Sequence, residues 1–235
     1  MTTAAAAAAP GLRARAVRWL EDHRELVVLV FCLPASFVFS LLLSAQAWLR
    51  QRRASPQHHD SRVREVQAAV RRWAAQPSAS RRPLCTARPN WLSLSTTFFR
   101  KDQCHRVPVP LYDILGLDEE GMTVRVEPMV TVGQITSFLV PRGYTLAVTL
   151  EIADATLGGL AMGTGMTTHS HKAGLYHETI EAYEVVLADG GLVRATRDNE
   201  HADLHRALPW SHGSLAFLTA LELRLVRVKP YVKLR

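Results

Sequence analysis

Cysteine is scarce in this chain. Three occur among 235 residues, Cys32, Cys85 and Cys104. An odd number with no framework spacing excludes a small disulfide-stapled scaffold and reads as reduced thiols facing a cytosolic compartment. Aromatic residues make up 7%, and they do not interleave with the basic ones, so nucleic acid is not an expected partner. Two segments lack something more specific. No charged residue occurs from Leu26 to Leu49. No lysine or arginine occurs from Thr156 until Lys172.

The first of these gaps is long enough to matter. About 20 apolar residues cross a bilayer core as a helix, and Pro34 is tolerable there. A membrane anchor over residues 25–48 is the expectation. A cleaved signal peptide and a buried soluble helix are the alternatives, and the run is long for either. Residues 1–24, an alanine run followed by scattered arginines, read as a disordered, basic N-terminus. Arg50, Arg52 and Arg53 follow the apolar run, which favours a cytosolic location for everything after it. The formal charge of +7 is uneven: net +1 over residues 1–49, +10 over residues 50–106 and −4 over residues 107–235. A basic region beside an anchor fits attraction to an anionic leaflet, at about 1 kcal/mol per residue near the surface.

Beyond the anchor, the pattern predicts an α+β domain over residues 50–228. Val63, Val66, Val70 and Trp73 share one face of a helix over 60–75. The stretches 91–96 and 122–127 alternate as strands. Thr131 and Gln134 form a capping box for a helix whose apolar face holds Ile135, Phe138 and Leu139, and Gly143 ends it. Short strands follow at 144–148, 181–187 and 192–196, the last two joined at Asp189-Gly190. A short helix is expected at 202–208 and a strand with alternating Leu221, Leu223 and Leu225 near the end of 215–228.

The second gap holds Gly158, Gly159, Gly163, Gly165 and Gly174. Each interior glycine costs a helix roughly 0.5–1 kcal/mol relative to alanine, so the stretch reads as neither a good helix nor a good strand. It reads either as an ordinary glycine-rich turn or as backbone that approaches an anion, gripped by amides and hydroxyls.

Four ordered blocks carry a resemblance: V-R-V-E-P-M-V-T-V-G-Q-I from Val124, T-L-G-G-L-A-M-G-T-G from Thr156, Y-E-V-V-L-A-D-G-G-L-V-R from Tyr183 and P-W-S-H-G-S-L-A-F-L-T-A-L-E-L-R-L from Pro209. Together they resemble the FAD-binding domain of the vanillyl-alcohol-oxidase, or p-cresol-methylhydroxylase, type. With R-V-R-E-V-Q, C-T-A-R-P-N-W, S-H-K-A-G-L and Y-V-K-L-R, the chain from about residue 24 onward is most similar to the delta(24)-sterol reductases. Ala87 and Asn90 stand where that family usually has glycine.

The resemblance implies a two-subdomain fold of that type behind one transmembrane helix, and noncovalent FAD. It places the cofactor's pyrophosphate on Thr156, Leu157, Gly158, Gly159, Leu160, Ala161, Met162, Gly163, Thr164, Gly165, Met166, Thr167 and Thr168. It implies NADPH-dependent reduction of the Δ24 double bond of a membrane sterol, at the endoplasmic reticulum, with the flavin domain on the cytosolic side. The family continues into a substrate domain, so residues 229–235 read as its beginning, and no proton donor is assigned. A non-catalytic anchored fragment and a sugar-lactone-type flavin oxidase are the alternative readings.

Other residues invite chemistry and are read more plainly. His169, His171 and His177 have no acidic partner nearby in sequence, and no metal is expected; His171 is a candidate neighbour of the flavin. His201 and His205, spaced i, i+4 around Asp203, read as exposed helix surface. Cys85 reads as a turn thiol without a histidine partner. Glu151 and Asp154 are candidate loop caps or ribose contacts. Trp210 reads as core.

Overall fold

A computed structural model of the chain describes residues 11–52, 54–89, 100–163, 165–229 and 231. The strand expected at 91–96 lies outside the described residues, as do Asn90, Thr164 and most of 229–235. The chain divides into two compact units, residues 1–53 and 54–235.

The first unit is helical. α1 spans Leu12–Asp22, within the stretch expected to be disordered; its leucine, alanine and arginine residues are strong helix formers. α2, Arg24–Val27, leads through a π-helical turn, Val28–Cys32, into α3, Leu33–Arg52. The wider turn lies just ahead of Pro34, which lacks an amide hydrogen and cannot continue an ordinary hydrogen-bond ladder. Arg24–Gln46 is 23 residues long with a mean hydropathy of 2.7 and no buried share. At about 1.5 Å per residue it rises roughly 34 Å, against a hydrocarbon core of about 30 Å.

The second unit is α+β. α4, His59–Ala74, buries Val63, Val66 and Val70. Trp73 ends that face half-buried, its indole Nε1 donating to the Arg82 carbonyl at 2.8 Å. β1 (Leu84–Thr86) and β2 (His105–Val107) form a parallel two-stranded ribbon. α4, this ribbon, Leu111 and Val186 share a small core of their own.

A larger core lies on a six-stranded sheet. Its strands are β3 (Ile114–Asp118), β4 (Thr123–Val126), β5 (Tyr144–Leu146), β6 (Ile180–Val186), β7 (Leu192–Thr196) and β8 (Phe217–Arg227). The order is β3-β4-β8-β6-β7, with β5 also on β8, and every pairing is antiparallel. β8 is eleven residues long and pairs with three strands, which is why its alternation is so clear: Leu221, Leu223 and Leu225 are buried while Arg224 is exposed. Burying each such leucine stabilises by about 1.5–3 kcal/mol.

Between β4 and β5 lies α5, Val132–Leu139, with both bonds of its capping box formed: Thr131 Oγ1 accepts from the Gln134 amide and Gln134 Oε1 from the Thr131 amide. Val132, Ile135 and Leu139 are buried and Phe138 is half-buried. Gly143 turns the chain at φ 86°, a conformation that favours glycine. α6 (Leu157–Met162) and α7 (Ser170–Ala173) follow β5, and α8 (Ala202–Ala207) follows β7.

Candidate functional site

The glycine stretch begins as a helix. α6 covers Leu157–Met162, where the sequence argued against one. Tertiary contacts offset the glycine cost. The Leu157 amide donates to Val130 O at 2.8 Å and the Gly158 amide to Pro128 O at 2.9 Å. Leu157, Leu160, Ala161 and Met162 are all buried. Gly158 is needed for close packing: a Cβ there would stand 2.5 Å from Pro128 Cβ and 2.9 Å from its carbonyl oxygen. Gly165 serves the same purpose against Tyr176, whose Cβ would lie 2.5 Å away.

The amides expected to hold an anion are therefore partly committed. Besides Leu157 and Gly158, the Gly163 amide donates to Gly159 O and the Thr167 amide to Ser170 Oγ, each at 3.0 Å. Gly159 differs. It is exposed, and its amide donates to no acceptor among the described residues. A Cβ there would meet only Thr156 Oγ1, at 3.0 Å.

Thr156, buried, precedes α6 in extended conformation, and its hydroxyl does not cap the helix. Its Oγ1 instead accepts from Arg88 Nη1 at 3.1 Å. Arg88 Nε is buried with no hydrogen-bond partner among the described residues. Such an orphaned donor is costly unless something completes it. Lys101 Nζ donates to the Arg88 carbonyl at 2.8 Å and to Thr86 Oγ1 at 3.3 Å. Burial holds the Arg88 guanidinium below its usual pKa. Burial also lowers Lys101, with Arg88 and Arg106 adding repulsion. Among the described residues no carboxylate pairs with Arg88 or Lys101. A partly desolvated guanidinium, a hydroxyl and a free amide share one corner, with the Lys101 ammonium on the Arg88 backbone beside it, and an anion is the group that such a corner lacks. The residues present there would suit the diphosphate of FAD, and Arg88 and Lys101 are cations near it that sequence reasoning did not single out. Their signal was weak, because Arg88 stands 68 positions from Thr156.

The loop after Leu208 closes the far end of α6. The His212 amide donates to Met162 O at 2.8 Å. Trp210 and His212 have φ of 66° and 49°, unusual for residues with a Cβ, and strain of this kind gathers at functional sites. Trp210 is 57% exposed, not core as the sequence suggested, because its backbone turns outward at this strained position.

The remaining candidates are placed as follows. His169 and His171 are exposed, the His171 Nδ1 lying 2.8 Å from Thr168 O. His177 is half-buried. Glu151 and Asp154 are exposed. His205 is buried rather than on the surface: its ring packs edge-on against Tyr183 at 5.1 Å, its Nε2 lies 3.3 Å from Ile180 O, and burial lowers its pKa. Among the described residues no cluster of histidine, cysteine and carboxylate side chains could hold a metal ion.

A second charged cluster joins α4 to the sheet. His59 Nδ1 lies 2.7 Å from Glu127 Oε1 and its Nε2 lies 3.0 Å from Glu184 Oε1. Arg62 Nη2 donates to Glu127 and Asp113, each at 2.7 Å, and Arg125 Nη2 donates to Glu184 at 2.6 Å. Every carboxylate in this cluster is answered by a cation, and only Arg62 Nε is left buried without a partner among the described residues, so its role is to hold elements together.

The family profile described as FAD binding domain matches residues 91–196. The chain is 44% identical over 218 residues to the delta(24)-sterol reductase of Homo sapiens, covering 92% of this chain and 42% of that protein. It is 39% identical over 224 residues to the delta(24)-sterol reductase of Arabidopsis thaliana, covering 93% and 39%. Against the delta(24)-sterol reductase homolog of Caenorhabditis elegans it is 35% identical over 232 residues, covering 94% and 44%. The chain thus spans about two fifths of the length of the curated relatives it matches. Across nearly all of its own length the chain is thus similar to about two fifths of the delta(24)-sterol reductases, and its residues 91–196 match the profile described as FAD binding domain.

Proposed function

We propose that this chain is the flavin-holding part of a membrane-anchored reductase that saturates the Δ24 side-chain double bond of sterols, with NADPH as reductant. The observation that carries it is the buried Nε of Arg88 beside Thr156, which has no partner among the described residues. A diphosphate at that corner completes Arg88, takes the Thr156 hydroxyl and accepts from the exposed Gly159 amide. Of the thirteen residues implied by resemblance, Thr156 and Gly159 hold the anion directly. Leu157, Gly158, Leu160, Ala161 and Met162 build the wall behind it. FAD supplies the hydride chemistry when bound; the protein's part is to orient it and to neutralise its phosphates.

The apolar Arg24–Gln46 helix gives the anchor and supports a single-pass arrangement in the endoplasmic reticulum membrane, where an apolar sterol resides. Arg72, Arg81 and Arg82, all exposed, belong to the basic region after it and suit an anionic leaflet on the cytosolic side.

The test is the full chain purified in detergent, equilibrated with FAD and then desalted. Flavin absorption retained near stoichiometry supports the reading; no retention at saturating FAD overturns it. NADPH is then added anaerobically with a Δ24 sterol. Bleaching of the flavin supports turnover by this chain. Retained but unbleached flavin favours the second reading, a flavin-binding segment without catalysis, which the two-fifths coverage of its relatives motivates.

A further inference from the structure

Cys85 lies in β1, and Cys104 immediately precedes β2. The parallel register sets Leu84 against His105 and Cys85 against Arg106. Cys104 is two positions before Arg106. Side chains alternate faces along a strand, so Cys85 and Cys104 lie on the same face of the ribbon, diagonal to each other. Both thiols are free and half-buried, and the Cys104 thiol is near enough to perturb the titration of Cys85. Cys104 Sγ is further steered by the Arg100 carbonyl, 3.6 Å away.

The surroundings set the order of reaction. Burial and the neighbouring Cys104 thiol push the Cys85 thiol above its usual pKa, while Lys101 and Arg106 pull the other way and lose. Cys85 therefore rests protonated and is the poorer first nucleophile.

We propose that Cys85 and Cys104 are a redox-modification site that closes into a reversible intramolecular disulfide. The oxidant is a low-molecular-weight disulfide such as oxidised glutathione. Cys104 loses its proton and attacks one glutathione sulfur, forming a mixed disulfide and releasing the first glutathione as a thiolate that takes up a proton. Cys85 then loses its proton and attacks Cys104 Sγ, forming the protein disulfide and releasing the second glutathione. Two protein thiols are oxidised and one glutathione disulfide is reduced to two thiols.

An S–S bond of about 2.05 Å is shorter than any non-bonded approach of two thiols, so closure draws the two strands together. Each is three residues long, and Leu84 and Val107 tie them to the core shared with α4. Lys101, three positions from Cys104, bonds the Arg88 carbonyl and Thr86 Oγ1. The disulfide itself is independent of the flavin assignment.

The experiment treats the full chain in detergent with oxidised glutathione, caps remaining thiols by alkylation and maps peptides by mass spectrometry without reduction. The expected product is a linked pair of peptides carrying Cys85 and Cys104, lost on dithiothreitol treatment. Cys85→Ser and Cys104→Ser each remove the link and leave the other cysteine alkylated or glutathionylated. Failure of either cysteine to react, separate glutathione adducts on both in the unmodified sequence, or a link from either to Cys32 would overturn the proposal.

Discussion

Arg88 Nη1 donates to Thr156 Oγ1 across 3.1 Å while Arg88 Nε, on the same guanidinium, has no acceptor among the described residues. One donor is therefore spent on positioning and another held in reserve. Arg88→Gln removes both and leaves Thr156 without its charge-assisted bond. Flavin affinity is expected to fall about 10- to 100-fold, since hydrogen bonds to charged groups contribute about 1.5–3 kcal/mol. Arg88→Lys recovers only part of this, because an ammonium lacks the guanidinium fork. Fluorescence titration with FAD measures both. Equal affinities in all three proteins would remove Arg88 from the site.

Gly158 and Gly159 are adjacent but do different work. A methyl at Gly158 meets Pro128 backbone at 2.9 Å, whereas one at Gly159 meets only the Thr156 hydroxyl. Gly158→Ala is expected to lower thermal stability by about 1–3 kcal/mol through overpacking. Gly159→Ala keeps the fold within about 1 kcal/mol, since alanine gains helix propensity, yet weakens FAD binding by crowding the free amide. Thermal unfolding and flavin titration on the two variants separate packing from binding; a Gly159→Ala protein that binds FAD normally would place the diphosphate elsewhere.

These two glycines also mark what was legible in the sequence. Short-range signals read correctly: the Val63, Val66 and Val70 spacing of α4, the Thr131–Gln134 box and the alternation of β8. Each is set by neighbours within a few positions. α6 was hidden because its stability comes from Val130 and Pro128, some 27 to 30 positions away, which accept its first amides. His205 was misplaced because i, i+4 spacing with His201 does not say which way a six-residue helix faces; Tyr183 decides that. The His59 cluster spans up to 125 positions, and no local pattern announces it.

The capping box offers a local test of α5. Thr131 Oγ1 accepts from the Gln134 amide at 3.2 Å, and Gln134 Oε1 accepts from the Thr131 amide at 2.9 Å. Thr131→Ala is expected to cost about 1 kcal/mol, and Thr131→Ser to restore most of it. Denaturant unfolding of both reads the difference. An alanine variant as stable as the parent would mean that packing of Val132, Ile135 and Leu139 alone holds the helix.

His59 predicts a pH dependence with a definite sign. Both ring nitrogens face carboxylates, Glu127 and Glu184, so the ring is held as an imidazolium. Burial opposes this charge, but the hydrogen bonds to Glu127 and then Glu184 outweigh it and raise the pKa to about 9. Around them stand Arg62 on Glu127 and Asp113, and Arg125 and Thr219 on Glu184. A group raised in the folded state stabilises fully below its unfolded pKa, here 6.5, and loses that contribution as pH climbs through the folded value. The amount is on the order of 3 kcal/mol. Glu184 has the opposite sign: burial would raise its pKa, but His59, Thr219 and Arg125 together lower it, so its contribution is lost as pH falls below the carboxylate range. Stability is expected to decline between roughly pH 6.5 and 9. Thermal midpoints of the parent and of His59→Gln across that range give the test. The parent should fall steadily while the variant, lower at the outset, changes little; parallel decline in both would assign the dependence to other groups.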